Sequence, residues 1–211
     1  MRIVITTQQM RNNLPVLSTE QSQHNWSNAM KILAFAASNS RKSINKQLVQ
    51  AAADVLKDAA PGTEVEILDL NDYEMPIYSS DREAQSGIPD EAHRFFAKIG
   101  AADALIVSYA EHNGFYTAAF KNIFDWASRI DMRVFQDKPM VAMATSPGKG
   151  GGANVLNAAT GSAGFFGADV RGTFSLASFY DSFDAAAGRP ADPEKLAELK
   201  AAVGALALQP A

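Results

Sequence analysis

The chain has 211 residues, 47% hydrophobic and 20% charged, which is enough for one full core and short for two domains. Its formal net charge of −4 argues against nucleic acid or an anionic membrane as the main partner, and no apolar run reaches membrane-spanning length. With no cysteine, disulfides, thiol catalysis and thiolate or iron–sulfur sites are excluded, so any redox work needs a bound cofactor.

In chain order, residues 1–29 come first, and their composition differs from that of the remaining chain. Met1 to Thr7 suits a short strand, but Gln8 to Asn28 is polar and lacks clear periodicity. The segment reads as a largely disordered extension ahead of a single domain over 30–211, with an arm packed on a partner subunit as the alternative. No basic-then-apolar leader opens the chain, so the cytoplasm is the default location.

From Lys31 onward, strand-like and helix-like patterns alternate. Strands are expected at Ile32–Ala37, Val65–Leu70, Ala104–Tyr109, Pro139–Thr145 and Val170–Phe174. Helices are expected at Ile44–Ala59, Pro89–Gly100, Phe115–Ile130, Ala153–Gly164 and Pro193–Leu206. The first helix places Ile44, Leu48, Ala51, Ala52, Val55 and Leu56 on one face. The last carries Asp192 as N-cap and Pro193 at its first position.

Strands separated by helical crossovers require a mostly parallel, doubly wound sheet with helices on both faces. Five such units suit the flavodoxin-like order 2-1-3-4-5, in which ligands sit beyond the carboxyl ends of the strands at the switch point. The loops after strands one, three and four are therefore the informative ones.

After strand one comes Ser38-Asn39-Ser40-Arg41-Lys42-Ser43-Ile44-Asn45. Serine hydroxyls beside a helix N-terminus, with its open N–H groups and partial positive charge, build an anion site. A plain capped helix start is the alternative. No G-x-x-x-x-G-K-[ST] sequence is present, which disfavours an ordinary nucleoside-triphosphate loop.

After strand three comes Ala110-Glu111-His112-Asn113-Gly114, where Asn-Gly signals a turn that can present backbone groups to a planar heterocycle. Trp126, in the next helix, suits the core or an interface better than a cofactor platform.

After strand four comes Ser146-Pro147-Gly148-Lys149-Gly150-Gly151-Gly152-Ala153. It contains G-x-G-x-x-A with Asp169 downstream, but that dinucleotide fingerprint belongs to a first βα turn and is discounted here. The glycines permit close approach of the backbone to a ligand.

Together these segments resemble the NAD(P)H-dependent FMN reductase family of flavodoxin-like proteins over about residues 30–180. The S-x-S-x-x-S-I-N-x-x-L signature appears as Ser38, Ser40, Ser43, Ile44, Asn45 and Leu48. E-x-N-G and K-N-x-x-D-W appear as Glu111, Asn113, Gly114, Lys121, Asn122, Asp125 and Trp126, and S-P-G as Ser146, Pro147 and Gly148. The chain departs from many members at Ala110 and His112, where they carry Pro and Tyr.

The resemblance implies that Ser38, Ser40, Ser43, Ile44 and Asn45 hold the FMN phosphate. It places Glu111, His112, Asn113 and Gly114 along the isoalloxazine edge, with Ser146, Pro147 and Gly148 nearby. It further implies hydride transfer from NADPH or NADH to the flavin and onward to a flavin, quinone or similar small acceptor by a ping-pong mechanism, with no catalytic side chain. A homodimer or homotetramer is also implied, with the apolar side of the Trp126 helix as a contact. A flavodoxin-type electron carrier and a regulatory flavoprotein without turnover are the alternatives.

Overall fold

The computed structural model describes residues 30–207. The extension expected over 1–29 lies outside the described residues.

Five parallel strands, β1 (Lys31–Ala37), β2 (Glu64–Leu68), β3 (Ala104–His112), β5 (Lys138–Thr145) and β6 (Ala168–Leu176), lie in the order β2-β1-β3-β5-β6. Short β4 (Phe115–Tyr116) folds back antiparallel on β3. Counting only the parallel strands, this is the expected 2-1-3-4-5 order.

The strands split their side chains between two cores, as a doubly covered sheet requires. Leu33 and Phe35 of β1 and Leu105 and Val107 of β3 face α3 (Asp90–Ala101), α4 (Ala118–Ile130) and α5 (Ala153–Ala163). The residues between them, Ile32, Ala34, Ala104 and Ile106, face α1 (Ile44–Ala59) and the C-terminal α7 (Pro193–Gly204). Burying a side chain such as Phe35 or Leu48, both fully enclosed, stabilises the fold by about 1.5–3 kcal/mol. Caps set the helix starts: Ser43 accepts the Lys46 N–H for α1, and Asp192 accepts that of Glu194 for α7, with Pro193 at the first position.

Three local features differ from the sequence expectation, each for an identifiable reason. Strand β2 stops at Leu68, because the Asp69 carboxylate accepts the Asn71 N–H at 3.1 Å and starts a 3₁₀ turn over Leu70–Tyr73. A short helix, α2 (Ser80–Ser86), comes next and buries none of its residues, so no apolar stripe announced it. Helix α4 begins at Ala118 rather than Phe115. Asn113 and Gly114, at φ 53° and 80°, form the two-residue left-handed turn that suits a hairpin, which pulls Phe115 and Tyr116 into β4.

Of the two places expected for Trp126, the core or an interface, it takes the core. Only 1% of it is exposed, its ring packs edge-on to Tyr78 at 5.0 Å, and its Nε1 donates to the Pro76 carbonyl at 2.7 Å. The indole is thus packed and hydrogen-bonded within its own chain. With Asn122, which donates to the carbonyls of Met75 and Pro76 and accepts the Tyr78 N–H, it straps residues 75–78 onto α4.

Past β6, α6 (Phe179–Ser182) leads into a hairpin of β7 (Phe183–Asp184) and β8 (Arg189–Pro190) before α7. Among the described residues, no helix is long and apolar enough to cross a membrane.

Candidate functional site

The carboxyl ends of β1, β3 and β5 converge on a cleft of about 190 Å³ lined by residues from all three loops that the sequence singled out. Ser38, Ser40, Ser43, Ile44 and Asn45 line one side, Glu111 and His112 another, and Ser146 and Pro147 a third. Asn113 and Gly114 form the adjoining hairpin turn, and Gly148 is next to Pro147 in the third loop.

The serine loop is built from the helix start. Ser38 and Ser43 are 7% and 8% exposed and form the floor, whereas Ser40 is open to solvent. The Ser38 hydroxyl accepts the Ser40 N–H at 3.2 Å, and Ser43 accepts from Lys46 at 3.3 Å, so each hydroxyl keeps its own proton free to donate. Among the described residues, the N–H groups of Ile44 and Asn45 have no backbone partner, as expected in a helix's first turn. Two buried hydroxyl donors, one exposed hydroxyl and two open N–H groups on a helix dipole form a donor set suited to a phosphate.

Lys46 adds no cation here. Its Nζ lies 2.5 Å from Asp69 Oδ2, and that bond holds the Asp69 carboxyl below its ordinary value. Arg41 and Lys42 are exposed at the mouth.

Asn45 does something the sequence did not disclose. Only 3% exposed, its Oδ1 accepts the Ser108 hydroxyl at 2.8 Å and the Thr145 N–H at 3.1 Å, while its Nδ2 donates to the Thr145 carbonyl at 3.1 Å. One side chain therefore ties α1 to the ends of β3 and β5. The side chain is thus committed within the fold, and the main-chain N–H is what Asn45 leaves open. Thr145 extends the chain of bonds by donating to the Leu176 carbonyl at 2.6 Å.

Glu111 also has a local task. Its carboxylate accepts the Val155 N–H at 3.0 Å and so caps α5, whose N-cap, Gly152, has no side chain to do so. The cap fixes the hairpin of the second loop against the helix that succeeds the third. His112 is exposed and pairs through its backbone with Phe115.

The glycine loop divides in two. A Cβ on Gly151 would sit 2.4 Å from Ser175 Oγ, and one on Gly152 would sit 2.9 Å from the Ala144 Cβ, so these glycines serve packing. Gly148 and Gly150 have open space where a Cβ would project, which leaves the outer part of the loop clear for an approaching ligand. The discounted dinucleotide fingerprint finds no support in the fold. It comes after β5 rather than β1, and Asp169 lies at the opposite, amino end of β6, paired with Arg171 at 2.8 Å.

Two cleft or near-cleft residues escaped the sequence reading. Thr117 caps α4 and donates to the Ala37 carbonyl at 2.9 Å, locking the end of β1, but a helix drawn from Phe115 hid it. Tyr180, 72% exposed on α6, lines the cleft from beyond the last expected strand, and no motif marks it.

Comparison with known proteins identifies the family and the fold. The profile of the family described as NADPH-dependent FMN reductase matches residues 30–181. An NADPH:quinone oxidoreductase of Arabidopsis thaliana is 32% identical over 123 residues, covering 58% of this chain and 61% of that protein. An NAD(P)H-dependent FMN reductase of Pseudomonas aeruginosa is 33% identical over 125 residues, covering 59% and 64%. The matched stretch is thus less than two thirds of either relative. Among solved structures, the flavoenzyme NAD(P)H:(acceptor) oxidoreductase FerB of Paracoccus denitrificans superposes with a TM-score of 0.64 at 24% identity, covering 85% of this chain and 96% of that one. That likeness establishes the flavodoxin-like fold.

Proposed function

Since the chain belongs to the NADPH-dependent FMN reductase family, we propose that it is an oxidoreductase that holds FMN in this cleft and passes electrons from NADPH or NADH to a small acceptor such as a flavin or quinone. The observation that carries the reading is the convergence of an anion-binding serine loop, a left-handed hairpin and an open glycine turn at three adjacent strand ends. The names of its relatives, which include reductases of both flavin and quinone, support the same chemistry.

In this reading the hydroxyls of Ser38, Ser40 and Ser43 and the N–H groups of Ile44 and Asn45 hold the phosphate. The segment Glu111–Gly114 borders the flavin ring, with Ser146, Pro147 and Gly148 beside it. Bound FMN supplies the hydride-accepting ring. The chain's own residues bind, orient and exclude water, and none is assigned as nucleophile, acid or base. Lys42 lines the cleft, Arg41 and Lys149 are exposed in the loops that flank it, and the net charge is only −4, which disfavours an electron carrier that depends on a strongly acidic docking surface. The proposal includes a cytoplasmic homodimer or homotetramer.

The cleft offers one place for both the nicotinamide and the acceptor, so they must use it in turn. Initial rates measured against NADPH at several fixed quinone concentrations should give parallel double-reciprocal lines. Intersecting lines would mean a ternary complex and a second nicotinamide site.

A further inference from the structure

We propose that Tyr180 and Lys42 form the seat for the adenine half of the nicotinamide dinucleotide, an inference that rests on the flavin-reductase reading above. Tyr180 is among the most exposed large side chains of the described residues at 72%, yet its backbone is firmly placed. Ser178 adopts φ 49°, ψ 53°, a left-handed conformation that a non-glycine residue keeps only when its surroundings impose it. Its N–H donates to the Gly148 carbonyl at 2.9 Å, and the Phe179 N–H donates to that of Ser146 at 3.0 Å. The Phe179 ring is buried and stacked on Phe183 at 4.6 Å, an anchor that leaves the neighbouring tyrosine to line the cleft. The fold thus fixes an aromatic ring at the mouth of the site, where it contributes little to the core.

Depth separates this ring from the flavin phosphate. The floor hydroxyls, Ser38 and Ser43, are nearly enclosed, and with Ser40 and the open N–H groups of Ile44 and Asn45 they make up the phosphate's donor set. Tyr180 and Lys42 stand at the rim of the same cleft. Among the described residues, Lys42 has no ion-pair partner, unlike Lys46 one turn on, which Asp69 holds. A flat ring and an unpaired ammonium group lining one cleft match a purine joined to phosphates, and the ligand that must enter over a seated flavin is a dinucleotide.

The test uses FMN-loaded protein titrated calorimetrically with adenosine 5′-diphosphate, which carries the adenine half but no nicotinamide. FMN affinity is measured separately by quenching of flavin fluorescence. Tyr180→Ala should weaken nucleotide binding about tenfold and raise the KM for NADPH to match, whereas Tyr180→Phe should stay within about twofold of the native protein. FMN affinity should shift by less than about twofold in both variants. Unchanged nucleotide binding in Tyr180→Ala, an equal loss in Tyr180→Phe, or a parallel loss of FMN affinity would each overturn the assignment. So would native FMN-loaded protein that binds no adenosine 5′-diphosphate. If the native protein takes up no FMN at all, the flavin reading falls and this inference with it.

Discussion

Asn45→Ala should destabilise the protein by roughly 3–5 kcal/mol, a large part of the total stability of a domain this size. The side chain serves three buried groups: the Ser108 hydroxyl, the Thr145 N–H and the Thr145 carbonyl. Alanine would leave all of them enclosed without partners, and each orphaned group costs about 1–3 kcal/mol. Ser108 is 0% exposed and Thr145 1%, so water is poorly placed to substitute. Asn45→Asp should also be costly, because a carboxylate cannot donate to the Thr145 carbonyl and would be buried among groups arranged for an amide. Urea unfolding at neutral pH measures the effect. A loss below about 1 kcal/mol would mean that the strand ends are not held by this residue.

The second large effect concerns the serine loop. Replacing Ser40 and Ser43 together with Ala removes two donors aimed at a charged group, and FMN binding should weaken by roughly 3 kcal/mol, or more than about 100-fold. Ser43 also caps α1, so about 1 kcal/mol of stability should go with it. Ser43→Asp separates the two effects, because aspartate keeps a workable cap but has no hydroxyl to donate. Fluorescence titration with FMN gives the affinity, and a thermal melt gives the cap. A double variant that binds FMN as tightly as the native protein would refute the assignment of the phosphate to this loop.

Periodicity located the sheet because β3 and β5 are apolar on both faces and α1 carries a clean stripe. It located the cleft because strand ends in such a sheet are where loops converge. It missed α2, which buries nothing, and misjudged the start of α4, where the apolar pair Phe115–Tyr116 serves equally as a helix stripe or a strand. Local pattern carries no information about partners far along the chain. Asn45 and Thr145 are a hundred residues apart, so the amide hub looked like one more ligand of the phosphate loop. Glu111, taken as part of the flavin edge, also caps a helix more than forty residues later, for the same reason. The glycine loop was a composite signal. Its inner pair answers to neighbouring side chains, and only its outer pair leaves room for a ligand.

A cleft that holds FMN in reach of a nicotinamide dinucleotide must let that dinucleotide reduce the flavin. The most direct test is rapid anaerobic mixing of FMN-loaded protein with NADPH, and separately with NADH, in the absence of any acceptor, monitored by absorbance in the oxidised flavin band. At least one of the two should bleach the band at a rate no slower than steady-state turnover. FMN that stays bound and stays oxidised with both nucleotides would contradict the account and return the protein to the electron-carrier or regulatory alternatives.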